Sequence, residues 1–102
     1  MCVTVDRPLG SRHPKHENIV YKVNYGYVAD VIGGDGEEQD AYIIGVDEPV
    51  AEFDGIVTAV IHRFDDNECK WIVVPKGKMF SDEDIIEMTE FQEKYFSTML
   101  VR

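Results

Sequence analysis

The sequence predicts a mainly β fold with one C-terminal helix, an α+β chain whose five short strands curl into a small barrel. Five segments rich in β-branched and aromatic residues are separated by turn residues. One capped, amphipathic segment stands near the C-terminus. No helix-period segment falls between the strands, which removes a βαβ rhythm and a parallel doubly wound sheet from consideration.

Residues 2–6 alternate apolar and polar and form the first strand, stopped by Pro8 and Gly10. Residues 11–16 hold Pro14 in their middle and show no periodicity, so they form an irregular surface arm carrying positive charge. The second strand is 19–27, with Asn24 and Gly26 marking an irregularity near its end. Tyr21, Tyr25 and Tyr27 fall on one face of it if it is regular. Two glycines then lead into Asp35, Glu37, Glu38 and Asp40, after which the chain turns apolar again: strand, acidic loop, strand.

The third strand is 41–46, followed by a connection marked by Pro49 and Gly55. The fourth, 56–64, is apolar on both faces and belongs in a covered, central position. An Asp-Asp-Asn-Glu turn at 65–68 returns the chain as a fifth strand, 69–74, in which Lys70 shares a face with Ile72 and Val74. A lysine on a half-apolar face near acids suggests a site. Pro75 ends the sheet. Ser81 is a good N-cap with Asp84 at N3, Asp82 and Glu83 complement the helix dipole, and Phe80 can staple onto Ile85. Ile85, Met88, Phe91 and Tyr95 recur at helical spacing and would pack the helix on the sheet.

At 102 residues the chain is read as one domain, 1–102, with a single core. Its apolar fraction of 44% is that of a folded globule, and its net charge of −10 is unevenly placed. Between Arg7 and Lys22 stand Arg12, Lys15, His13 and His16 against one acid, Glu17, whereas Asp30 to Asp54 holds nine acids and neither Lys nor Arg. So acidic a surface argues against nucleic acid and against an anionic membrane, both of which need a positive footprint. Cys2 and Cys69 are in no metal or redox spacing and read as reduced thiols. With no long apolar N-terminal segment and no apolar run near membrane-spanning length, the expectation is a soluble, cytoplasmic protein.

Three acidic groups are candidates to converge: Asp6, Asp35 to Asp40, and Asp65 to Glu68. Carboxylates brought together repel unless a cation sits between them, so convergence would imply a hard divalent metal; the competing reading is three separate solvated turns. An EF-hand is excluded because Asp40 stands where the sharp-turn glycine is required. His13, His16 and His62 show no zinc spacing. Carboxylates with scattered Lys, Arg and Tyr are the inventory of metal-assisted phosphoryl chemistry.

Tyr21-x-x-Asn24-Tyr25-Gly26-Tyr27 followed by Asp35-Gly-Glu-Glu-Gln-Asp40 resembles the paired signature of the soluble inorganic pyrophosphatases of family I. The likeness extends along the chain: Val3 to Pro8 resembles the family's first strand, Lys70-Trp-Ile-Val-Val-Pro75 its lysine strand, and Phe91 to Tyr95 its C-terminal helix. The resemblance implies a five-stranded OB-like barrel, a catalytic Mg²⁺ (or Mn²⁺) site and assembly into homo-oligomers. On it, Asp35, Asp40 and Glu68 hold the first metal and Asp40 is shared with a second. Asp65 or Asp66 serves a metal arriving with substrate, and Asp6 a further one. Glu37 takes the proton of the attacking water; Lys15, Lys70 and Tyr95 hold phosphate oxygens, and Tyr25 stands beside them. The family's arginine lies in a hairpin nearly absent here, which leaves open whether Arg12 takes its place, and Phe96 replaces a family lysine.

The expected function is therefore Mg²⁺-dependent hydrolysis of pyrophosphate to two phosphates. The alternative is a non-catalytic or regulatory module that binds divalent metal with another phosphorylated small molecule.

Overall fold

The chain's alternating segments pair into one seven-stranded sheet, and its capped segment forms the helix packed on it. The computed structural model describes residues 1–33, 36–64 and 68–102. The strands are β1 (Cys2–Arg7), β2 (Asn24–Ile32), β3 (Glu38–Ile43), β4 (Glu52–Asp54), β5 (Ile56–Arg63), β6 (Cys69–Val74) and, after helix α1 (Asp82–Glu93), β7 (Thr98–Val101). Their order across the sheet is β4-β1-β2-β3-β6-β5-β7, all antiparallel except β3 against β6. Sheet and helix together fill a body of 32 × 29 × 29 Å.

The period-two pattern explains why the middle of this sheet reads as continuously apolar. On β3 and its continuation, Tyr42 and Ile44 point to the helix side while Ala41 and Ile43 point to the other; on β6, Ile72 and Val74 oppose Trp71 and Val73. Ten buried residues, Tyr21, Tyr25, Tyr42 and Ile85 among them, form the helix-side core, and Val3, Val28, Ala41, Ile43 and Val73 form the second. Gly26 lies opposite Val5 where β1 pairs closely with β2: a Cβ there would come within 1.9 Å of the Thr4 carbonyl oxygen. Only glycine fits that approach.

The mainly β architecture with one terminal helix is as expected, but the described residues form seven strands and not five. The two additional strands are short. β4 lies within a segment dense in acids and turn residues yet pairs with β1, and β7 pairs with β5 after the helix, which makes β5 an interior strand. The second strand begins at Asn24 instead of residue 19, because residues 19–21 instead bond to the arm: Tyr21 N–H donates to Ser11 O and His13 N–H to Ile19 O. The third runs Glu38–Ile43 rather than 41–46, since its pairing with β2 extends into the acidic segment.

Helix α1 carries the expected capping box, with Ser81 Oγ accepting from Asp84 N–H. Its end differs. Lys94 is the C-cap, Tyr95 and Phe96 bond back three residues to Gln92 and Glu93, and the chain then leaves to pair as β7. Tyr95 is consequently outside the helix and 55% exposed, so it is not part of the packing stripe. Thr89, Gln92 and Glu93 are buried on the inner side with Ile85. Among the described residues no helix is long and apolar enough to cross a membrane.

Candidate active site

The inward positions of four neighbouring strands generate the site. β3 and β6 run parallel with Ala41 opposite Trp71, so Asp40 and Lys70, one residue earlier on each, stand side by side on the helix-facing surface. Period-two spacing puts Glu68 on the same side of the chain as Lys70, and Arg63 on the same side as Ile61, the cross-strand partner of Lys70. Tyr25 pairs across with Tyr42 and faces the same way.

The side chains complete what the register begins. Lys70 Nζ donates to Asp40 Oδ2 at 2.5 Å and to the Tyr25 hydroxyl at 3.0 Å, and lies 3.3 Å from Glu68 Oε2. Arg63 donates from Nη1 to Glu68 Oε2 at 2.9 Å, and grips Glu93 through Nε and Nη2 at 2.9 and 2.6 Å. Glu93 also accepts from the Tyr42 hydroxyl, which in turn accepts from Gln92 Nε2. Tyr21 donates to Gln92 Oε1 and accepts from Arg7 Nη1 at 2.6 Å. The result is one hydrogen-bonded chain of alternating partners from Arg7 to Asp40.

Burial governs its electrostatics. Burial raises the Tyr25 phenol far above its ordinary range, reinforced by the Asp40 charge, so it is a neutral hydrogen-bonding group. Burial alone would raise the Glu93 carboxyl, but hydrogen bonds from Arg63 and Tyr42 and the Arg63 and Lys70 charges outweigh it and hold Glu93 below the carboxylate range. The Arg63 guanidinium lies 3.7 Å from the centroid of the Phe96 ring, which shields it from water on that side.

A cleft of about 540 Å³ opens over this network, and Asp6, Tyr25, Asp40, Glu68, Lys70 and Tyr95 all line it. Lys15 and Glu37 are exposed and do not line it. Asp35, Asp65 and Asp66 lie outside the described residues. Arg12 is also outside the cleft, its guanidinium donating to Glu17 O, and the arginines that line it are Arg7 and Arg63. The β1 register slips between Val5 and Arg7, and this bulge is what allows adjacent Asp6 and Arg7 both to border the cleft. Sequence reasoning missed Arg7, Arg63, Gln92 and Glu93. The signal for the last two was present, because both continue the inner face of the helix from Ile85 and Thr89 at helical spacing.

The donor chemistry fits a hard divalent cation: Asp6, Asp40 and Glu68 offer carboxylate oxygen, and the two oxygens of each group accept several bonds. Among the described residues, no three His, Cys, Asp or Glu side chains are gathered into a metal cluster.

No protein-family model and no curated protein matches the chain in sequence. Solved structures do match its fold. The inorganic pyrophosphatase of Ehrlichia chaffeensis superposes with a TM-score of 0.73 at 18% identity, over 96% of this chain and 81% of that one. The Neisseria gonorrhoeae inorganic pyrophosphatase gives 0.67 at 20% identity, over 93% and 72%. The Helicobacter pylori inorganic pyrophosphatase gives 0.65 at 17%, over 93% and 74%. The chain therefore has the OB-like fold of these enzymes, and the resemblance drawn from its motifs holds at the level of structure.

Proposed function

We propose that this chain hydrolyses inorganic pyrophosphate to two phosphates with the help of a divalent cation, Mg²⁺ or Mn²⁺. One observation carries the reading: Lys70 is buried at the meeting point of Tyr25, Asp40 and Glu68, inside a cleft bordered by the fold's other motif residues Asp6 and Tyr95. The pyrophosphatase structures that share this fold support the choice of substrate.

Asp40 and Glu68, with Asp6, would hold the metal, with Asp35 and Asp65 as the further ligands of this reading; when bound, it supplies charge neutralisation and a more acidic water. Lys70 and Arg7 approach the cleft from β6 and β1 and would bind phosphate oxygens from two directions, fixing the anhydride between them. Tyr25 orients Lys70 through its hydroxyl, and Tyr95, exposed at the rim, would donate to a phosphate oxygen. Arg63 holds Glu68 in place and is itself fixed by Glu93. Glu37, three residues before Asp40, is the proposed proton acceptor, and Lys15 an outer phosphate contact reached from the arm.

The test is phosphate release from pyrophosphate with Mg²⁺, compared with Asp40→Asn. Release that depends on metal and is lost in the variant supports the reading, and its absence from the unmodified protein overturns it. The exposed positions of Glu37 and Lys15, outside the cleft lining, favour a second reading: a module that binds metal and a phosphorylated ligand without turnover. Calorimetric binding of pyrophosphate with no phosphate released would select it.

A further inference from the structure

The arm between β1 and β2 is built, not loose. Gly10 N–H donates to Tyr21 O at 2.7 Å, Tyr21 N–H to Ser11 O at 2.8 Å, His13 N–H to Ile19 O at 2.9 Å, and Ile19 N–H to His16 O at 2.9 Å. Arg12 and Val20 form a β-bridge. These bonds set the His13 and His16 rings 5.0 Å apart, both on the wall of the cleft beside Arg7. The His13 ring also lies nearly parallel to that of Tyr21, at 6.3 Å and 11°.

This arrangement concentrates positive charge where the rest of the chain is acidic. Arg7 and the two imidazoles border the same cleft, with exposed Lys15 near enough to act on His13, Asp6 from β1 as the carboxylate in that lining, and Tyr25 and Tyr95 lining it too. Partial burial, then Arg7, His16 and Lys15, push the His13 imidazole below its ordinary value. His13 Nδ1 accepts from Lys15 N–H at 3.0 Å, so its neutral form carries the ring proton on Nε2 as a donor. Like charges crowded at the mouth of a cleft, in a chain of net charge −10, are relieved by an anion.

We propose that His13 and His16, together with Arg7, form an anion subsite at the cleft mouth that holds the distal phosphate of a phosphoanhydride. This rests on the reading of the cleft as a pyrophosphate site and adds to it a contact supplied by the arm. Because the His13 imidazole gains charge as pH falls, binding at this subsite tightens on acidification, by roughly tenfold for each unit its pKa rises on binding.

The probe is pyrophosphate in excess EDTA, so that no metal site contributes. Histidine titrations are followed by NMR on the whole protein, with His62, exposed on β5 and outside the cleft lining, as the internal control. The expected result is a change in the His13 and His16 ring resonances on binding, with those of His62 unmoved. The His13→Gln/His16→Gln variant should bind more weakly at pH 6 than the unmodified protein, roughly tenfold, with a smaller difference at pH 8. The ligand's own protonation is common to both proteins and cancels in the ratio. Histidine shifts no larger than that of His62, or equal affinity of the two proteins at pH 6, overturns the subsite. Neither result bears on phosphate release with Mg²⁺, so turnover without the shifts keeps the pyrophosphatase reading and removes this one. Shifts without turnover do the reverse.

Discussion

Arg63 and Glu93 meet in a two-point contact, Nε to Oε1 and Nη2 to Oε2, with the side chains 5% and 6% exposed. They join the last turn of the helix to the end of β5, and Arg63 carries the link onward to Glu68. A buried pair of this kind adds little over an apolar pair of the same shape, but losing one member strands the other. Glu93→Gln should therefore cost roughly 3–5 kcal/mol of unfolding free energy. Denaturant unfolding at neutral pH measures this; a loss below about 1 kcal/mol, the size of an exposed ion pair, would contradict the buried role.

The same carboxylate sets an acid limit on stability. The folded-state pKa of Glu93 is below its ordinary value of 4.5, so the unfolded chain takes up this proton first. The stabilisation is complete above pH 4.5 and disappears as pH falls through the depressed folded value. Unfolding free energy should fall across that window in the unmodified protein and fall less steeply in Glu93→Gln. Parallel profiles for the two proteins would assign the acid loss to other groups.

How much of this was legible in the sequence depends on whether a residue's partner is local. The face shared by Lys70, Ile72 and Val74 follows from period two, and the Ser81–Asp84 box from a spacing of three; both are present in the structure. The Asp40–Lys70 pair is different, because it depends on β3 lying parallel to β6, and no local pattern announces that neighbourhood. Arg7 reaches the cleft through a bulge in β1, and the alternation of the segment gave no warning of it. Tyr95 was placed on the helix because its spacing continued the stripe, but the chain is drawn off to pair as β7. Gln92 and Glu93 are polar, but a polar residue at an inward helix position can be buried where a partner such as Tyr42 or Arg63 awaits it.

Gly26 offers a test of the fold that is independent of chemistry. A Cβ there would lie 1.9 Å from Thr4 O and 2.8 Å from Val5 Cα, both backbone atoms that cannot rotate aside. Gly26→Ala should separate β1 from β2 and destabilise the protein by at least the roughly 1–3 kcal/mol of a typical overpacked site. Chemical denaturation checks the size. Amide exchange should show the loss concentrated in β1, the strand that also carries Asp6 and Arg7.

If Lys70 holds a phosphate oxygen where charge develops, Lys70→Met should lower the rate of phosphate release by roughly 10²–10³, the usual consequence of removing one such donor. Methionine preserves most of the buried stem, so the variant should remain folded, which circular dichroism verifies. Asp40 would then lose its lysine partner and attract cations more strongly. Divalent-metal affinity should hold or rise while turnover falls. A variant that loses metal affinity and turnover together would place Lys70 in the support of the metal site instead.

Metal binding itself has a readout that needs no turnover. A ligand that binds only the folded chain stabilises it by about 2.7 kcal/mol at a hundred times its dissociation constant. Millimolar Mg²⁺ should accordingly raise the Tm of the unmodified protein, and Asp40→Asn should shrink that rise, because Asp40 is a ligand in the proposed site. Lys70 donates to Asp40 at 2.5 Å, so a cation bound at Asp40 would compete with that ammonium. The thermal shift should therefore be larger in Lys70→Met than in the unmodified protein. An equal shift in all three proteins would mean that the metal binds elsewhere on this acidic surface.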